Sequence, residues 1–191
     1  MTVFVRVYFK LSRMITILDF EASGLEAESY PIQVAWNDGD KVHSYYINPE
    51  TANGWTWWSE PSEKVHGIPR DYLIEHGLAV EEVAAIMHRE LSGKTVFSDA
   101  VEYDSWWCNR LFDETSFDVN FQWGDYWHRV SREKPPTMHV PDSYEAGLWR
   151  QGLWDEVMDS IGLRAHLADN DVRIRMEIFR LAEERNRKWD Y

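Results

Sequence analysis

Two carboxylates, Asp19 and Glu21, stand in the run Ile15-Thr16-Ile17-Leu18-Asp19-Phe20-Glu21-Ala22-Ser23-Gly24-Leu25. The run opens apolar and β-branched, the composition of a buried strand, and positions i and i+2 of a strand share a face. Two acids on one side of a buried strand repel each other and resist desolvation unless a cation lies between them. The alternative is a strand that ends in solvent with its acids hydrated. A third carboxylate raises the same question. Asp171, Ile174, Ile178 and Leu181 follow at helical spacing in a segment expected to run towards Lys188, which puts Asp171 on the inward, apolar face, where it needs a partner. His166 precedes Asp171 by five residues, about 140° around a continuous helix. If both serve one site, His166 belongs to the loop before that helix, with Asp169 and Asn170 as capping residues.

The elements that must position these groups are readable in order. Ile32 to Trp36 is expected as a second strand, Asn37-Asp38-Gly39-Asp40 as a hairpin turn, and Lys41 to Ile47 as a third strand, which together make an antiparallel meander. Residues 49–60 form a polar loop carrying Trp55, Trp57 and Trp58. Such rings either fold back onto the core or offer a base a stacking surface. Short helical pieces are expected over Pro61 to Ile68 and Arg70 to His76, then a longer helix over Ala79 to Leu91 ended by Gly93. Lys94 to Ser98 reads as a buried strand followed by a helix through about Phe112, a crossover that makes the second half of the sheet parallel. Phe117 to Trp123 is expected as the last strand. Tyr126 to Val140, with Pro135-Pro136, is expected to be irregular, and Ser143 to Ile161 helical, capped by Asp142 or Ser143.

With 191 residues, 44% hydrophobic and 28% charged, the chain reads as one globular domain over residues 14–191. Met1 to Arg13 is expected to be an N-terminal arm from an early start codon, with Met14 a plausible natural start. The only cysteine, Cys108, excludes an intrachain disulfide and fits a reducing, cytoplasmic location. No apolar run approaches the roughly 18 residues of a membrane span, so no membrane partner is expected. A net charge of -13 speaks against holding long nucleic acid on a broad basic surface. It is compatible with a small acidic substrate brought to bound cations, because the metal inverts the local electrostatics. The last helix is nonetheless rich in arginine, and those charges either meet phosphates or pair with Glu177, Glu183 and Glu184.

Asp19-Phe20-Glu21, Asp104 after Ser98-Asp99-Ala100-Val101-Glu102-Tyr103, and His166 with Asp171 resemble, in order and spacing, the motifs of the DEDDh family of 3'-to-5' exonucleases. This is the group of the ribonuclease-H-like superfamily that includes proofreading subunits, ribonuclease T and oligoribonuclease. Val65-His66-Gly67-Ile68 also resembles a His-Gly-Ile segment that such enzymes often carry, and the likeness spans about Ile15 to Arg180. The resemblance implies an α/β fold with a mixed five-stranded sheet, three strands in an antiparallel meander and two parallel, flanked by helices. It also implies hydrolysis of a phosphodiester at a 3' end with two divalent cations, Mg²⁺ or Mn²⁺, releasing nucleoside monophosphates. Asp19, Glu21, Asp104 and Asp171 are then the metal ligands and His166 the general base. The residue types agree, since hard oxygen donors suit those ions and an imidazole is suited to take a proton from the attacking water. Two departures stand out. Many members read His-Asn-Ala where this chain has Ser98-Asp99-Ala100, and the usual Arg after the histidine is Leu167. Both bear on substrate preference more than on activity.

Substrate contacts are expected from Phe20, Ser23, Gly24, Leu25, Trp57, Trp58 and His66, although a regular strand turns Phe20 away from the acids and towards the core. A 3' end needs only a pocket for one or two nucleotides, so single-stranded or short RNA or DNA is the expected partner. Some relatives are dimers, which leaves a homodimer open. Two other readings compete: an inactive member of the same fold that binds nucleic acid or protein, and a phosphoesterase acting on small nucleotides.

Overall fold

The computed structural model describes residues 15–134 and 144–187. The expected arm over residues 1–13 and the expected cap at Asp142 or Ser143 lie outside the described residues. Strand β1 (Thr16–Ala22) is central in a five-stranded sheet. On one side it pairs antiparallel with β2 (Pro31–Asp38), which pairs antiparallel with β3 (Lys41–Tyr46). On its other side it pairs parallel with β4 (Thr95–Ser98), which pairs parallel with β5 (Gln122–Asp125). The order is β3-β2-β1-β4-β5. This is the mixed sheet, half meander and half parallel, expected above.

Between β3 and β4 the chain forms α1 (Glu60–His66), α2 (Arg70–His76) and α3 (Val80–Leu91). Gly67, at φ 73°, ends α1 in the left-handed conformation that glycine adopts at no steric cost. Helix α4 (Val101–Phe112) crosses from β4 to β5, α5 (Tyr126–Val130) follows β5, and α6 (Tyr144–Ile161) and α7 (Ala168–Arg187) complete the fold.

The alternation of β1 divides the interior in two. Leu18 and Phe20 face one core with Trp36, Val83, Met87, Leu91, Trp107 and Leu111. Ile17 faces the other, made by α5, α6 and α7 through Tyr126, Leu153, Val172, Ile178 and Phe179. Asp19 and Glu21 share the face of Ile17, so α7 covers the side of the sheet that carries the acids.

Three local expectations are corrected. The last strand starts at Gln122 instead of Phe117, because a turn at 113–116 leads into an irregular segment that folds Phe121 into the core and ties Asn120 Nδ2 to the His88 carbonyl at 2.9 Å. Tyr126–Val130 is helical and not irregular, since Asp125 caps it by accepting the His128 backbone N–H at 2.5 Å, and a 3₁₀ turn at Ser131–Glu133 continues it, while residues 135–140 of the expected irregular segment lie outside the described residues. β3 ends at Tyr46, and Ile47, whose N–H donates to the Ile32 carbonyl at 2.9 Å, makes an isolated parallel bridge to Leu78.

Candidate active site

Four acids meet at the carboxyl end of β1. Asp19 and Glu21 lie opposite Ala35 and Gln33 of β2. Asp171 enters from the first turn of α7 and Asp104 from the first turn of α4. Asp19, Asp104 and Asp171 are 7%, 2% and 5% exposed, which rules out hydrated surface acids. One oxygen from each of Asp19, Glu21 and Asp171 lies within 4.8 Å of the other two. Asp104 stands beside this trio, accepting hydrogen bonds from the Ser98 hydroxyl and the Phe20 backbone N–H. Ser98 is fixed in turn by accepting the Ala100 N–H at 2.9 Å.

The loop before α7 is placed by contacts that join distant parts of the chain. Gln33, buried in β2, accepts the Ala168 N–H at 3.1 Å and donates to Ser44 Oγ at 3.0 Å, which fixes where α7 begins and so where Asp171 stands. Arg164 Nη2 donates to the Val65 carbonyl at 2.7 Å, and Asn170 Nδ2 donates to the Arg164 carbonyl at 2.9 Å. These bonds tether the His166 loop to the end of α1 that carries His66. His166 lies on that loop, as the spacing requires, with an exposed side chain and a left-handed backbone at φ 65°. Its backbone N–H donates to Asp171 Oδ2 at 3.0 Å.

Burial dominates the electrostatics. It raises the Asp19 carboxyl well above the usual range, against the opposing pull of Arg175, while Asp104, Asp171 and Glu21 push it further up. Glu21 rises from the ordinary 4.5 to about 8 through burial and the neighbouring Asp171, with Arg175 again opposing. Asp104 rises from 3.8 to about 7 through burial, despite the Ser98 hydrogen bond, and Asp171 is raised in the same sense. Without a further cation the cluster therefore holds protons that free carboxylates would release. Such a cluster of hard oxygen donors fits Mg²⁺ or Mn²⁺, whose charge would return it to the ionised state.

The residues expected to contact substrate separate into two groups. Leu25 is 66% exposed just past β1, and Trp57, half-buried, lies directly against Gly24, leaving no room there for a Cβ. Trp58 is also half-buried, with Nε1 donating to Glu63 Oε2 at 2.5 Å and its ring meeting His66 edge-on at 6.0 Å. His66 accepts the Ile68 N–H on Nδ1 at 3.0 Å, so its proton is on Nε2, a buried donor with no partner among the described residues. Burial lowers its pKa to about 4, which keeps the ring neutral.

Phe20, Ser23 and Trp55 are buried. Phe20 is 5% exposed and packs in the core on the face opposite the acids, so only its backbone touches the site. The Ser23 hydroxyl is fully buried and already accepts the Tyr30 N–H at 3.1 Å, closing the turn after β1. Trp55 is 1% exposed and stacks on Tyr30 at 5.0 Å, which makes it a core residue.

Sequence reasoning missed Arg175, which is buried among Asp19, Asp99 and Asp171. The available signal was its position four residues after Asp171, one turn further along the same face of α7. Burial opposes its charge, but the three carboxylates outweigh burial and hold the guanidinium protonated.

A sheet of this order, with acids on its central strand and helices on both faces, is the ribonuclease-H-like fold of exonucleases. No family model matches the chain, and no curated protein matches its sequence. Among solved structures it is similar to Escherichia coli exonuclease I in a zinc-bound complex with single-stranded DNA, with TM-score 0.64 and 16% identity over 93% of this chain and 42% of that one. The same enzyme with a dT13 oligonucleotide gives 0.62 and 18% over 93% and 43%. Exonuclease I from Methylocaldum szegediense gives 0.62 and 17% over 92% and 41%. The chain thus spans less than half the length of these neighbours.

Proposed function

We propose that this chain is a metal-dependent 3'-to-5' exonuclease that removes nucleoside monophosphates from single-stranded or short nucleic acid. The observation that carries this reading is the convergence of Asp19, Glu21 and Asp171 oxygens within 4.8 Å, with Asp104 alongside, on a fold shared with exonuclease I. Asp19, Glu21, Asp104 and Asp171 hold two divalent cations, Mg²⁺ or Mn²⁺. When bound, such ions lower the pKa of the attacking water and stabilise charge on the leaving oxygen.

The rest is done by the protein's own groups. His166, on an exposed loop beside Asp171, takes the proton from the attacking water. Its left-handed backbone and its N–H bond to Asp171 set the imidazole's place relative to the acids. The terminal nucleotide lies against Leu25 and Trp57, just past the acids of β1, where the aromatic face stacks a base.

The experiment is to incubate 3'-labelled and 5'-labelled single-stranded oligonucleotides, RNA and DNA, with Mn²⁺. Stepwise shortening of the 5'-labelled strand, with early release of a labelled mononucleotide from the other, is expected. If neither oligonucleotide is shortened while a small nucleotide ester is hydrolysed, the protein is a phosphoesterase. If nothing is hydrolysed, it is a binding member of this fold.

A further inference from the structure

Arg175 is an unusual neighbour for a cation-binding cluster. Its side chain is 9% exposed, and Nη2 donates to Asp99 Oδ2 at 2.6 Å. Nη1 stands 3.5 Å from Asp19 Oδ1 and 3.7 Å from Asp171 Oδ1, too far to form a hydrogen bond with either, so its N–H groups, like that of Nε, have no hydrogen-bond partner among the described residues. The guanidinium is therefore anchored by one acid and held by charge alone against two others. The backbone behind it is fixed as well, because the Arg175 carbonyl accepts the Tyr126 hydroxyl at 2.7 Å.

We propose that Arg175 is a positioning residue that acts as the built-in counter-cation of the acidic cluster, and that the Asp99–Arg175 pair sets how tightly the cluster takes a divalent ion. The proposal rests on the metal-centre reading above. Its physical basis is a fixed positive charge within 4 Å of two of the carboxylates that would share a divalent ion. It holds Asp19 and Asp171 together when the ion is absent and repels the ion when it arrives. Asp99 offsets part of that charge and aims the guanidinium. The two residues therefore act on metal affinity with opposite signs, which a merely structural ion pair would not do.

The test is direct titration of Mn²⁺ into the full chain at one pH and ionic strength, following free Mn²⁺ by electron paramagnetic resonance, alongside melting curves in EDTA and in Mn²⁺. Arg175→Met, similar in length but uncharged, is expected to bind Mn²⁺ about tenfold tighter or more. It should melt lower in EDTA and recover with Mn²⁺, because the ion takes over the counter-charge. Asp99 is 22% exposed and Asp99→Asn is conservative in shape, so the variant is expected to fold and to bind Mn²⁺ several-fold more weakly. If Arg175→Met does not fold, Asp99→Asn decides alone. Wild-type or tighter Mn²⁺ affinity in Asp99→Asn overturns the proposal, as does unchanged affinity in Arg175→Met. A wild-type protein that binds no Mn²⁺ at millimolar concentration overturns the metal-centre reading itself and this proposal with it.

Discussion

The backbone N–H of His166 donates to Asp171 Oδ2 at 3.0 Å while His166 holds a left-handed conformation at φ 65°. That conformation costs a non-glycine residue roughly 1–2 kcal/mol and persists only where surrounding contacts enforce it. Here the Arg164–Val65 and Asn170–Arg164 hydrogen bonds on the same loop do so. Asparagine tolerates this conformation and keeps the backbone donor. His166→Asn is therefore expected to match wild type in melting temperature, Mn²⁺ affinity and oligonucleotide binding, and to lose about 100-fold or more in turnover. Wild-type turnover across the pH range would remove His166 as the base.

Asp104 is nearly inaccessible and bonded to Ser98 and to the Phe20 backbone, so its role is separable from the Asp19–Glu21–Asp171 trio. Asp104→Asn preserves shape while removing a charge that burial disfavours. Circular dichroism and melting should show an intact fold, and the labelled-oligonucleotide assay should show no hydrolysis. Full activity with unchanged metal dependence would refute the assignment.

The four acids also dictate how stability varies with pH. Their folded pKa values are raised, Glu21 from 4.5 to about 8 and Asp104 from 3.8 to about 7, with Asp19 and Asp171 shifted in the same direction. Between the unfolded and folded values the native state binds more protons than the unfolded chain, so stability is greatest below the unfolded values and falls as pH rises to about 8. In EDTA the melting temperature should drop by about 5 °C or more between pH 5 and pH 8. Saturating Mn²⁺ should cancel most of that drop by ionising the acids as ligands. A flat profile in EDTA would mean that the acids are not desolvated as described.

Gly24 tests the wall beside the site. A side chain at this position meets the Trp57 ring, a rigid plane that must swing away to admit it. Gly24→Val is expected to weaken oligonucleotide binding several-fold, measured by fluorescence anisotropy with a labelled strand, while Mn²⁺ affinity stays at the wild-type value. Equal oligonucleotide affinity would exclude Trp57 from the binding surface.

How much of this was legible in the chain varies with the range of the interaction involved. The strand face shared by Asp19 and Glu21 follows from the two-residue period of a strand, and the inward face of Asp171 from the helical spacing of Ile174 and Ile178. The meander was readable because Gly39, at φ 59°, stands in the turn between Asp38 and Lys41, where local chemistry decides. The true start of β5 and the helix at Tyr126 were not, because burial of Phe121 and the side-chain cap from Asp125 settle them.

The sequence by itself determined which residues carry charge and which face of each element they share, because those properties are local. Only the tertiary structure decided which charges meet. Gln33 reaches 135 residues along the chain to seat α7. Arg175 enters the acid cluster through the crossing of α7 over β1 and β2, and Trp55 is taken from the substrate side into the core it shares with Leu18 and Trp36. Each of these outcomes depends on contacts between segments far apart in sequence: the period of α7 puts Arg175 on the face of Asp171 but does not say which strand that face meets.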